Sequence, residues 1–252
     1  MTVPGKLAVH SDGRVAGPAN IKYNEPFPCV NGKFETGAMM GVVMHTMAGN
    51  LPGTIGVFND PARQASAHFG IAQDGEIWQF GPIGKGWAAW HAVAANRSWY
   101  GIEHADDGDP HNPLTAAQIA ASAQLVELLS RFAGFPLQVS DSPSVKGYGY
   151  HAMGGVAWTP DGHTCPGPGP RAGQRAGIIA LAKSIRAGSE SQPGPFRHTA
   201  PGGQTLAQIA AARNTPPEHL ASVSAHAYTP EDVTVLAHLP LPAGTPYYTS
   251  NP

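Results

Sequence analysis

Glycine and proline punctuate this chain so densely, at 31 and 25 of its 252 residues, that long uninterrupted helices have few places to form. Turns and loops must carry much of the length, and any core has to be assembled from short elements. Hydrophobic residues, at 42%, supply the material for one. Charged residues make up only 13%, against about 25% in an average globular protein. With a formal net charge of −2, the chain has no electrostatic reason to bind nucleic acid. No apolar stretch has the length of a membrane span, so membrane insertion is not expected. The first residues lack a basic region followed by an apolar run; synthesis in the cytoplasm without a signal peptide is the expectation. The length allows one large domain, or a main domain with a small companion.

Residues 1–40 read as irregular. From Gly41 to Met44 an apolar run ends in His45, the pattern of a buried strand that delivers a polar side chain at its C-terminal end. Residues 67–80 alternate about Asp74-Gly75 and read as a hairpin. Over 115–133 the spacing predicts a helix. Thr115 and Gln118 form a capping box, Ile119, Val126, Leu129 and Phe132 an apolar stripe, and Gly134 a stop. A second helix is predicted near 171–186, with Ile178, Leu181, Ala182 and Ile185 on one face. Strands mixed with helices indicate an α/β domain over residues 1–186. Residues 187–195 have linker composition. Beyond them, Thr205 to Gln208 and Thr215 to Glu218 are further capping boxes, and residues 196–252 read as a small β-α-α-β unit.

The chain holds twelve histidines and two cysteines, Cys29 and Cys165. His45, His151 and Cys165 are a donor set suited to a catalytic zinc, because three protein ligands leave a fourth position for water or substrate. Taken as residues alone, they serve equally as hydrogen-bonded histidines and a small core cysteine. Cys29 reads as a free buried thiol; pairing with Cys165 would take that sulfur from a metal. His104, Asp106, Asp107, Asp109 and His111 read as a solvated loop rather than a second metal cluster. Trp87, Trp90, Trp99 and Trp158 suit either a groove wall or the core.

Five segments, in order, give the chain a family likeness. They are Val-Val-Met-His45-Thr, the stretch from Ser66 to Phe80, Trp90-His91-Ala, Tyr100-Gly-Ile-Glu103, and His151 with Gly162-His-Thr-Cys165-Pro-Gly. Over residues 40–185 the chain resembles the type 2 N-acetylmuramoyl-L-alanine amidases, relatives of the peptidoglycan recognition proteins and common among phage endolysins. The resemblance implies a central mixed β-sheet flanked by helices, and one zinc ion held by His45, His151 and Cys165. Glu103 falls at the general-base position. A tyrosine that some members place before the histidine of the hairpin segment is Ala67 here, which leaves the base role to Glu103. His163 occupies the place of a lysine or threonine and is expected to donate to the oxyanion. Trp90 and His91 match a groove-lining segment; His91 would bond the stem peptide or pack as a structural residue beside Trp90. His68 matches a position that binds no metal.

From His198 to Ala210 the chain resembles the opening of LysM domains, which bind N-acetylglucosamine-containing glycans. Together these likenesses imply a zinc amidase that cuts peptidoglycan between N-acetylmuramic acid and L-alanine. An endolysin freed by holin-type release fits the missing signal peptide. A non-catalytic wall-binding protein and a host recycling amidase are the alternatives. Oligomeric state is left open.

Overall fold

The computed structural model describes residues 6–17, 21–25, 27, 39–84, 87–188, 196–199 and 246–249. The chain divides into two compact units, Pro4–Ser189 and a second containing Glu190–Pro252. In the second, β-strands Phe196–Thr199 and Pro246–Thr249 pair antiparallel. The two capping boxes and the helices expected between these strands lie outside the described residues, as does Cys29.

The first unit is built on strands β1 (Ala8–Val9), β2 (Val15–Ala16), β3 (Ile21–Tyr23), β4 (Gly41–Thr46), β5 (Phe69–Ile71), β6 (Ile77–Gln79), β7 (Trp99–His104) and β8 (Gly147–Tyr150), with helices α1 (Leu51–Phe58), α2 (Ala116–Ala133) and α3 (Arg171–Gly188). Six strands form one mixed sheet in the order β3-β6-β5-β7-β4-β8. Only β5 and β6, the predicted hairpin, run antiparallel within it. The expected α/β fold with a central mixed sheet is therefore present. The N-terminal stretch is less irregular than its sequence suggests, since β1 and β2 form a small ribbon and β3 joins the sheet edge. These strands have two or three residues each, too few for alternation to register in the sequence.

β4 explains the architecture. It lies between two parallel neighbours, β7 and β8, so both its edges are paired, and side chains packed on both its faces leave Val42, Val43 and Met44 fully buried. A strand buried on both sides reads as a continuous apolar run rather than an alternation. Val42 and Met44 face the main core with Tyr100 and Ile102 of β7, against Leu125, Leu128 and Leu129 of α2 and Ile178, Ala182 and Ile185 of α3. Val43 faces the opposite way, toward Trp99 and Trp158.

α2 begins where its capping box predicts. Thr115 Oγ1 accepts from the Gln118 amide at 3.0 Å, and Gln118 Oε1 accepts from the Thr115 amide at 3.0 Å. Gly134 ends it in the left-handed conformation, at φ 76°. Phe132 departs from the expected stripe and is 46% exposed, because the sheet and α3 cover the face carrying Leu125, Leu128 and Leu129 instead. α1 carried no sequence signal: two of its eight residues are glycine and one is proline. Asn50 caps it, accepting from the Gly53 amide at 3.0 Å. No described helix is long and apolar enough to cross a membrane.

Candidate metal centre

Parallel strands bring the expected residues together at one sheet edge. His45 and Glu103 are register partners on β4 and β7, so their side chains leave the same face, opposite α2 and α3. Met44 pairs with Tyr150 of β8, which places His151 one residue past the neighbouring strand end. A crevice at the C-terminal ends of parallel strands is the usual binding position in open α/β sheets. Cys165 comes from the loop before α3. Its carbonyl accepts from the Ala152 amide at 2.9 Å, and its sulfur accepts from the Thr46 amide at 3.3 Å.

Ligand atoms of His45, His151 and Cys165 all lie within 4.8 Å of one another, and all three residues are buried. They are the one such group found among the described residues. Cys165 Sγ is 3.7 Å from His45 Nδ1. Zinc bonds to nitrogen and sulfur at tetrahedral angles would set the two atoms about 3.5 Å apart. His151 Nε2 lies 3.0 Å from the Trp158 carbonyl. A carbonyl only accepts, so Nε2 carries the proton and Nδ1 is left with its lone pair facing the cluster. Three convergent donors of this kind fit a zinc ion. Burial, and then the negative Glu103, push the Cys165 thiol up from its ordinary value, so a metal must displace its proton.

Glu103 is part-buried, and its Oε2 is buried without a hydrogen-bond partner among the described residues. Burial, with a smaller contribution from Asp106, pushes its carboxyl up to about 8. It lines an open cleft of about 510 Å³ together with His45, His151 and Cys165. A carboxyl in such surroundings holds a proton readily and has a free oxygen with which to pass it on.

His163 Nε2 lies 3.3 Å from His151 Nδ1, and its Nδ1 lies 2.5 Å from Asp161 Oδ1. The carboxylate accepts at one ring nitrogen, leaving the other directed at the cluster. Trp90 and His91 line the cleft. Both ring nitrogens of His91 are engaged inside the protein, at 2.9 Å from His45 Nε2 and 3.0 Å from the Trp99 carbonyl. Trp158 joins Trp90 in the wall of an adjoining cavity of about 790 Å³, whereas Trp99 is core and Trp87 is 41% exposed.

His68 is buried, and its Nδ1 accepts from the Gly101 amide at 3.0 Å. Of the acidic loop, Asp107, Asp109 and His111 are outside the core, as expected. His104 and Asp106 are fully buried, a difference from the solvated-loop reading. Asp106 accepts from the Gly49 and Gly108 amides and from Thr46 Oγ1, tying its own loop to the end of β4 and the segment that follows it. Thr46, Asp161 and Arg171 support the site without having been singled out in the sequence, and Asp106 does so although it was read as part of a solvated loop. Only Asp161, two residues before His163, offered a local signal; the others meet through the fold.

Comparison with known proteins bears on the family and the fold. The sequence pattern of the N-acetylmuramoyl-L-alanine amidase family matches residues 35–168, more than half of the chain. The chain is similar to N-acetylmuramoyl-L-alanine amidase A of Achromobacter lyticus, 36% identical over 110 residues, which is 43% of this chain and 59% of that protein. It thus spans about three fifths of that relative's length. Its structure resembles that of Staphylococcus aureus hydrolase AmiA in complex with its ligand, with a TM-score of 0.51 and 16% identity over 75% of this chain and 98% of that one. An AmpD derivative gives a TM-score of 0.51 and 20% identity, over 68% of this chain and 99% of that one. At such identities the two structures speak for the fold.

Proposed function

Because this chain belongs to the N-acetylmuramoyl-L-alanine amidase family, we propose that it hydrolyses the amide joining the lactyl group of N-acetylmuramic acid to the L-alanine of the peptidoglycan stem peptide. The observation that carries the proposal is the convergence of His45, His151 and Cys165 beside a carboxylate with a free buried oxygen. These three residues would hold one zinc ion. Bound there, zinc supplies a Lewis acid that polarises the amide carbonyl and makes water a better nucleophile near neutral pH.

The remaining work falls to the chain's own groups. Beside the positive charge of the ion Glu103 would be ionised, and it would then take the proton of the attacking water at its free carboxylate oxygen and return it to the departing alanine amine. Its position on β7, level with His45, supports this role. In its imidazolium form, with Nδ1–H held by Asp161, His163 would present Nε2–H to the oxygen on which negative charge develops. Trp90 and Trp158 give the adjoining cavity apolar walls against which sugar or peptide can pack.

Residues 196–252 belong to the same proposal as a LysM-like unit that holds the enzyme on wall glycan and raises its local concentration near scissile bonds. An endolysin made in the cytoplasm and freed by holin-type release is the cellular role that unites these features. Incubating purified cell walls with the protein tests the activity: new alanine amino termini should appear, and the protein should sediment with the walls unless N-acetylglucosamine oligomers compete. Walls bound without amine release would move the chain to the non-catalytic binding class. Amine release without sedimentation would remove the wall-binding role.

A further inference from the structure

His91 is a buried histidine that the mechanism does not use, and it stands directly behind a metal ligand. Its Nε2 faces the Trp99 carbonyl at 3.0 Å, so that nitrogen carries the proton. A neutral imidazole has one N–H, and the Trp99 carbonyl already holds it. Nδ1 is therefore an acceptor, and its neighbour at 2.9 Å is His45 Nε2. That nitrogen must be the donor, which leaves the lone pair of His45 on Nδ1, the atom 3.7 Å from Cys165 Sγ. We propose that His91 is a positioning residue: the chain from the Trp99 carbonyl through His91 fixes the His45 tautomer and dedicates Nδ1 to the metal.

Two further features hold His91 in this position. Asn96 Oδ1 accepts from the His91 and Ala92 amides at 2.9 and 2.8 Å, which pins the loop entering the site. At Gly101 a side-chain Cβ would lie 2.8 Å from His91 Cγ and 2.9 Å from its Nδ1, so the ring occupies the room that glycine leaves on β7. A group that orients a metal ligand in this way acts on affinity for the ion, because an unsettled ring must choose its tautomer and orientation at each binding event.

The inference rests on the metal reading above, and the experiment separates the two. Zinc affinity is measured on the full chain by competition with a chelator, for wild type, His91→Leu and His91→Asn. Leucine fills the space and cannot accept, whereas the asparagine Oδ1 stands near the position of Nδ1. His91→Leu should bind zinc about 10–100-fold more weakly, and His91→Asn should recover most of the loss. In zinc-loaded wild type, ring-nitrogen NMR shifts should identify His45 as protonated at Nε2 and metal-bound at Nδ1. Equal affinity in all three proteins, equal loss in both variants, or His45 bound through Nε2 overturns the proposal. A wild type that binds no zinc overturns the metal reading with it. If His91→Leu does not fold, the wild-type NMR result decides alone.

Discussion

At the scale of residues, the site concentrates histidines that the fold keeps neutral. Burial holds His68 at about 3 and His104 and His151 at about 4, and it holds His45 and His91 well below the ordinary value. The unfolded chain takes up protons near 6.5 that the native state refuses. The stability these groups contribute is therefore present above about pH 6.5 and is lost as pH falls toward about 4. Glu103 has the opposite sign: raised to about 8, its contribution is present below 4.5 and lost as pH rises through 8. One carboxyl works against five imidazoles, so the histidines set the direction. The urea midpoint of the metal-free protein should drop between about pH 7 and about pH 5. A midpoint unchanged over that interval would show that the buried rings do not control acid stability.

At the scale of elements, the site depends on how α3 is anchored beneath it. Arg171, the first residue of α3, is 1% exposed and donates to the carbonyls of Asn112, His104 and Ala105 and to Thr46 Oγ1. It gathers the ends of β4 and β7 and the loop after β7 around one guanidinium. Arg171→Met keeps the apolar stem and leaves several buried acceptors short of a donor, each worth about 1–3 kcal/mol. Thermal unfolding should register a loss on the order of 2–5 kcal/mol. An unchanged melting temperature would mean that water replaces the guanidinium at little cost. Local signals made the regular elements legible: the capping box at Thr115, the apolar run before His45, and the turn at Asp74-Gly75. What escaped were α1, whose glycines and proline hide a helix that its Asn50 cap and its packing sustain, and β1 to β3, too short to show a period. The anchoring roles of Arg171 and of Asp106, which was read as solvated, escaped for another reason: their partners are brought to them by the fold, and no spacing announces them.

For the whole molecule, the candidate site was read more completely than the fold that builds it. His45 lies more than a hundred residues from both His151 and Cys165, and nothing in their spacing makes a site. They became legible through the short segments around them, and the register of β4 with β7 and β8 supplies the physical reason for their meeting. The hydrogen bonds behind the cluster, from Trp99 through His91 and from Trp158 to His151, were not legible because each depends on where a backbone carbonyl points. In the proposed function a metal held by three side chains works with a separate carboxylate. The most direct test is to measure bound zinc and alanine amine release from cell walls together, in wild type, Glu103→Gln and Cys165→Ser. Glu103→Gln should keep its zinc and lose about 10²–10⁴-fold in rate, the usual worth of a general base. Cys165→Ser should lose both. Full amine release from Glu103→Gln, or a zinc-free wild type that still cleaves, would contradict the account.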